Sequence, residues 1–217
     1  MNKKTLEKVA ASSLFRGIDD VGKMMNCFGA RVVRFAAGEE IVGYGDEPAA
    51  VIITAGSGTV VSEDWFGNRT VINRLGVSGI FGAAYAFSGH EVTTRLVAAE
   101  NGEAVMINGR RLHEPCATPC ESHTRFLYNA VKVISSSCVG FLENVEHLSR
   151  RTTRDKVLSY LTAEAVKRNA SEFDIPFSRQ ELADYLAVDR SALSAELGRM
   201  KANGLIDFHR AHFKIKR

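Results

Sequence analysis

Seven apolar residues, Leu127, Val131, Ile134, Cys138, Phe141, Val145 and Leu148, follow one another at alternating steps of four and three. A 3.5-residue period marks a helix whose narrow apolar stripe faces another helix along its length. The stripe predicts a single helix over about 122–148, ~40 Å long at 1.5 Å per residue. A rod of that length with one seam is best satisfied by a second copy of itself. Leu127, Val131, Ile134, Cys138, Phe141 and Val145 are therefore the candidate homodimer interface. Phe126, Ala130 and Val133 lie off the seam and remain to cover the preceding domain. An ordinary amphipathic helix lying on that domain is the competing reading.

Before the stripe the pattern is different. Arg31–Phe35, Val51–Thr54, Thr59–Val61, Thr70–Ile72, Arg95–Ala98 and Ala104–Ile107 are short strand-like runs, and glycines recur between them from Gly38 to Gly89. Many short strands at this spacing predict a jelly-roll or double-stranded β-helix, which leaves few exposed edges. No apolar run approaches the ~20 residues that span a bilayer. Met1–Ala11 lacks the apolar core of an export signal, so a cytoplasmic protein with no membrane partner is expected. Cys27, Cys116, Cys120 and Cys138 are too few and scattered for a disulfide scaffold.

After the stripe, Arg150-Arg-Thr-Thr-Arg154 interrupts the apolar pattern like a hinge. Val157, Leu158, Leu161 and Ala165 then mark another helix, and Asn169–Pro176 a polar connector. Ser178-Arg-Gln-Glu181 is a capping box opening a short helix, with Leu182, Ala183 and Leu186 on one face. Small Ala183 admits a crossing helix. Ala187-Val188 makes a turn, Asp189 is an N-cap, and the helix Arg190–Lys201 carries Leu193, Leu197 and Met200 inward. Asn203-Gly204 ends it. Leu205–Phe208 and His212–Ile215 read as a two-stranded wing with His209 and Arg210 at its tip. From Arg150 to Arg217 there are 14 Lys+Arg and 9 Asp+Glu, a local excess that suits a polyanion.

The order of these parts predicts a winged helix-turn-helix that binds double-stranded DNA. The second helix of such a unit lies in the major groove, its N-terminal residues against base edges. Arg190 is placed to bond both acceptors of a guanine. Ser191, Ser194 and Arg199 accompany it on that helix, behind Asp189. Ser178, Arg179 and Gln180 suit a phosphate at the first helix's N-terminus, and His209 and Arg210 extend the surface.

The two halves together resemble the Crp/Fnr superfamily of transcription regulators. In the N-terminal half the resemblance rests on Phe35-Ala-Ala-Gly-Glu-Glu-Ile41, Gly45-Asp46, Ile53-Thr-Ala-Gly56 and Gly79-Ile-Phe-Gly82. In the C-terminal half it rests on Phe177-Ser-Arg-Gln-Glu-Leu-Ala183, Val188-Asp-Arg-Ser191 and Gly204-Leu-Ile206, the more specific set. It implies an α+β chain with an effector-sensing β-roll (1–120), a dimerisation helix and hinge (121–149) and a winged helix (150–217). It further implies a palindromic operator, RNA polymerase as a partner, and a small-molecule effector in the roll. The resemblance implies a regulator that is either an activator or a repressor.

Two departures from the family pattern matter. Nucleotide-binding members hold the cyclic phosphate with a glutamate after the Phe-Gly pair and an arginine followed by a small hydroxyl residue. Here Ala83 takes the first place, and Val92 with Thr93 the second. Cyclic AMP is thereby disfavoured, because its phosphate lacks a charge-assisted fork. The candidate pocket comprises Phe81, Gly82, Ala83, Ala84, Val92, Thr93, Thr94 and Arg95, with Arg95 the nearest substitute cation. In the recognition helix, Ser191 and Ala195 stand where the family often has a glutamate and a second arginine, so the usual operator is not implied.

His113, Cys116, Cys120 and His123 could instead hold a metal, or the two thiols could sense redox state. Their Cys-x3-Cys spacing is not that of a standard zinc finger, and packed thiols in a proline-shaped loop are the simpler reading. A cupin-like metalloenzyme needs several His and a carboxylate converging inside the roll. The predicted strands hold almost none, and no phosphate loop or nucleophile motif is present. A dimerising module without DNA would leave the basic, N-capped Arg190 helix unexplained.

Overall fold

The computed structural model describes residues 1–67, 69–112 and 120–216. The chain divides into two compact units, Met1–Phe66 with Ile72–Cys138 and Gly67–Val71 with Val139–Arg217.

The first unit opens with α1 (Lys3–Ala10) and α2 (Val21–Cys27), neither anticipated from sequence. The Asn2 side chain accepts from the Thr5 amide and Asp20 from the Lys23 amide, satisfying an orphan donor in each first turn. Then come β1 (Arg31–Phe35), β2 (Glu40–Val42), β3 (Ala49–Ala55), β4 (Gly58–Glu63), β5 (Arg69–Leu75) and β6 (Ile80–Phe81). A short α3 (Ala83–Ser88) precedes β7 (Arg95–Ala98), β8 (Gly102–Asn108) and α4 (Gly109–Leu112). The strands form two four-stranded sheets, β1-β8-β3-β6 and β2-β7-β4-β5, with antiparallel registered pairs. This is the expected roll.

Strand β3 shows why its sequence is an unbroken apolar run. Successive side chains point to opposite faces of a sheet. Val51 and Ile53 join the cluster between the sheets, with Phe35, Val60, Phe81 and Leu96. Ala50 and Ile52 join a second cluster with Leu14, Phe15, Met25, Phe28 and Phe126. Val51, Ile52 and Ile53 are all fully buried. Strand β8 alternates likewise, Ala104 in the first cluster and Val105 and Ile107 in the second. The sheet therefore has two apolar faces, and the N-terminal helices cover the outer one.

Helix α5 runs Glu121–Ser149, within one residue of the predicted span at each end. Phe126 and Ala130 are buried in the second cluster, with Val133 packed against it, as their place off the seam predicts. The seam itself is uncovered: Leu127, Val131, Phe141 and Val145 are 41%, 63%, 53% and 62% exposed.

In the second unit, α6 (Thr153–Arg168) is capped by Thr152, and β9 (Glu172–Asp174) follows. Then α7 (Arg179–Tyr185), α8 (Arg190–Ala202), β10 (Ile206–His209) and β11 (His212–Ile215) complete the chain. Val157, Leu161, Leu182, Ala183, Leu186, Leu193, Leu197, Met200, Ile206 and Phe213 are fully buried and form its core. The expected two-stranded wing is three-stranded, in the order β10-β11-β9. The connector segment pairs Phe173 with Phe213 and Glu172 with Lys214.

Candidate nucleic-acid interface

The interface is built from two capped helices and a turn. At the start of α7 the Ser178 hydroxyl accepts from the Glu181 amide at 3.3 Å, and Glu181 Oε2 accepts from the Ser178 amide at 2.8 Å. The capping box is thus complete. The turn to α8 places Ala187 at φ 49°, a left-handed conformation that costs a non-glycine residue energy. Lys156 of α6 secures the turn, its ammonium donating to the Leu186 carbonyl at 3.0 Å and the Ala187 carbonyl at 3.3 Å. Sequence reasoning missed this lysine because its partners lie some thirty residues away.

Asp189 Oδ1 accepts from the Ser191 amide at 2.8 Å, the Ala192 amide at 3.0 Å and the Ser191 hydroxyl. These bonds hold its carboxyl below the usual aspartate range. Asp189 therefore fixes the end of α8, and Ser191 is partly committed to it. Arg190 and Ser194 are exposed, and neither side chain has a hydrogen-bond or ion-pair partner among the described residues. Arg199 pairs with Glu196 at 3.1 Å.

Two predicted phosphate contacts are otherwise engaged. Arg179 donates to the Arg210 carbonyl at 3.2 Å and lies over the rings of Phe208 and Phe213 at 5.1 and 5.5 Å. Its burial pushes the guanidinium pKa down. Arg179 therefore braces α7 against the wing. Gln180 donates to Asp184 at 2.7 Å. At the wing tip, His209 and Arg210 are exposed, with Arg210 at φ 55°. Lys201 ties α8 to the wing through Asp207 at 2.6 Å.

The wing also contains a histidine clamp that sequence reading did not find. His212 Nδ1 lies 3.1 Å from Asp174 and Nε2 3.1 Å from Glu172, two residues of β9. Hydrogen bonds to Glu172 and Asp174 raise its pKa. A raised folded pKa means that the clamp contributes fully below the unfolded histidine value of ~6.5 and fades as pH rises through the folded one. Amide protection in β9 and β11, taken relative to the intrinsic pH dependence of exchange, should therefore fall as pH rises above the unfolded histidine value of ~6.5, and His212→Asn should flatten that dependence. An unchanged profile in the variant would remove His212 as the cause.

The candidate effector residues of the roll differ in exposure. Phe81, Ala83 and Val92 are buried, Ala84 is exposed, and the Thr93 and Thr94 hydroxyls lie 3.0 and 3.3 Å from the Tyr85 hydroxyl. Gly82 adopts φ 76°, and a Cβ there would meet the Ala49 carbonyl at 2.2 Å, so this glycine is required by the backbone. Leu96 and Ala98 of β7 point into the roll, so Arg95 faces the other side. There it pairs with Glu63 at 2.7 Å and Glu40 at 3.3 Å and lies over Tyr44.

Of the proposed metal or redox group, Cys120 is a half-buried free thiol, and His123 packs edge-on to Phe28 with centroids 5.4 Å apart. His113 and Cys116 lie outside the described residues. Among the described residues no cluster of three or more His, Cys, Asp or Glu is arranged to hold a metal, and no helix is long and apolar enough to cross a membrane.

Comparison with known families matches residues 32–118 to the cyclic nucleotide-binding domain and 155–217 to the Crp-like helix-turn-helix domain. Comparison with curated sequences finds no significant match. Among solved structures, the c-di-GMP-responsive global regulator CLP of Xanthomonas campestris aligns with a TM-score of 0.72 at 17% identity, over 92% of this chain and 100% of that one. A CooA variant from Carboxydothermus hydrogenoformans gives 0.72 at 14% identity, over 95% and 96%. FixK2 of Bradyrhizobium japonicum gives 0.65 at 16% identity, over 87% and 93%.

Proposed function

The chain belongs to the Crp/Fnr superfamily of DNA-binding transcription regulators, and from that premise we propose that two copies, joined along α5, read a palindromic operator through Arg190. The observation that carries the reading is the state of α8: its end is fixed by Asp189, while the Arg190 side chain beside it has no hydrogen-bond or ion-pair partner among the described residues. An arginine so placed can reach guanine O6 and N7 with its planar fork. Ser194 lies one turn further along the exposed face. Ser178 and the free amides of α7 supply phosphate contacts, and His209 and Arg210 extend the contact through the wing. Two such helices must sit ~34 Å apart to enter successive major grooves, a separation set by dimer geometry.

The effector of the roll is proposed to be something other than a cyclic nucleotide held by its phosphate. Val92 is buried where the family's arginine would reach in, and Arg95 is neutralised by Glu40 and Glu63. CLP, by its description, responds to c-di-GMP. A similar ligand here would meet the same shortage of positive charge. RNA polymerase as a partner and a cytoplasmic location belong to this proposal as well.

The test is Arg190→Ala, assayed on an operator selected from random duplexes and on unselected DNA. The operator should lose about 1–3 kcal/mol, roughly 5- to 150-fold in affinity, and random DNA much less. Equal losses on both would show that Arg190 contributes charge rather than base recognition.

A further inference from the structure

Helix α5 ends at Ser149 and α6 starts at Thr153, and the elbow between them borders a cleft of about 680 Å³. That volume falls within the ~300–1,000 Å³ of small-molecule sites. Its lining combines His147 of α5, Arg150 and Arg151 of the elbow, and Ser159 and Thr162 of α6, with Leu158 as an apolar wall.

The lining carries two guanidiniums, Arg150 and Arg151, and two carboxylates, Glu146 and Asp155, and only Arg150 and Glu146 pair with each other. Arg150 donates to Glu146 at 2.5 Å, and Asp155 accepts from the Thr152 hydroxyl at 2.7 Å. Arg151 is exposed and makes no hydrogen bond or ion pair among the described residues. The Thr162 hydroxyl is equally without a partner there. His147 is 3% exposed, its Nδ1 lies 2.8 Å from the Ser159 hydroxyl, and its ring meets Tyr160 edge-on. A spare guanidinium, spare hydroxyl hydrogen-bonding capacity and a buried imidazole thus border one cleft.

We propose that this elbow cleft binds a small oxyanion, the phosphate or carboxylate of a compact metabolite, anchored by Arg151 with His147, Ser159 and Thr162 as its polar partners. A guanidinium donates in a fork that matches such a group. Leu158 gives the remainder of the metabolite an apolar surface. The binding does not depend on the function proposed above; only a consequence for DNA affinity would rest on that reading.

His147 supplies a site-specific readout. Burial holds its pKa below the ordinary imidazole value, against the opposing pull of Glu146, Glu143 and Glu164, while Lys167 adds to the lowering. An anion bound beside the ring would favour the protonated form and move its titration to higher pH. The experiment follows the His147 ring resonances of the full chain during addition of inorganic phosphate, with chloride at matched ionic strength as control. A saturable shift is expected, together with a titration midpoint moved upward. Arg151→Gln should weaken phosphate binding at least tenfold, and Arg151→Lys should recover part of it. Thr162→Val should cost a few-fold. No saturable shift at His147, or equal affinity in Arg151→Gln, would overturn the site. So would a flatter salt dependence of DNA binding in Arg151→Gln without any phosphate response at His147, because Arg151 would then be a contact to the DNA backbone.

Discussion

Replacing Phe141 by aspartate is expected to turn the protein into a monomer and to weaken operator binding by about two to four orders of magnitude. Phe141 is 53% exposed on α5, between Cys138 and Val145 of the same stripe. Covering both copies of a half-exposed phenylalanine yields roughly 1.5–3 kcal/mol. Two carboxylates brought into that seam would each cost several kcal/mol of desolvation. Together these raise the dimer dissociation constant by about three orders of magnitude or more. DNA affinity falls because the second recognition helix no longer arrives tethered, and tethering of this kind is worth ~10²–10⁴. Ser136, exposed and off the seam, provides the control: Ser136→Asp should change neither mass nor affinity. Sedimentation and a titration on one duplex measure both quantities. A Phe141→Asp protein that remains dimeric would place the interface elsewhere.

Leu193→Ala is expected to destabilise the winged-helix half by about 2–5 kcal/mol, the usual range for a buried leucine truncated in a packed core. Leu193 is fully buried with Leu197, Met200, Leu182 and Ala183, where α8 crosses α7. A domain's whole stability is typically ~5–15 kcal/mol, so this one change removes much of it. Amide exchange should quicken across α7, α8 and the wing, and operator binding should fail at a lower temperature. A change below about 1 kcal/mol would mean that the site collapses around the smaller side chain and that the core is looser than its burial suggests.

What sequence reading recovered and what it missed divide along the range of the interactions. The long helix, the capping box at Ser178, the Asp189 cap and the Leu193–Leu197–Met200 face are all encoded within a few residues of chain, and all stand where expected. Strands β2 and β6 span three and two residues, too short for alternation to register. In α1 only Thr5 and Val9 are buried, so its apolar face is thin.

The interface was legible as a motif but not in the duties of each side chain. Arg179 reads as a phosphate contact beside a capping serine; Phe208 and Phe213, some thirty residues later, capture it instead. The third strand of the wing likewise depends on a pairing between Phe173 and Phe213 that no local pattern announces. Arg95 is a different case. Leu96 and Ala98 are the apolar positions of its strand, so alternation alone places the arginine outside the roll.

Cys138 offers the most direct test of the central claim, that two copies joined along α5 hold the DNA. It is an exposed free thiol in the seam, so in a parallel pairing it faces its own counterpart. A variant with Cys27, Cys116 and Cys120 changed to serine would be bound to an operator duplex and treated with a thiol oxidant such as diamide, which takes up the two electrons and two protons released. The account predicts that the DNA-bound species runs as a covalent dimer on a non-reducing gel, and that Cys138→Ser abolishes the cross-link. A DNA-bound species that stays uncrosslinked, with Cys138 still free to react, would contradict it.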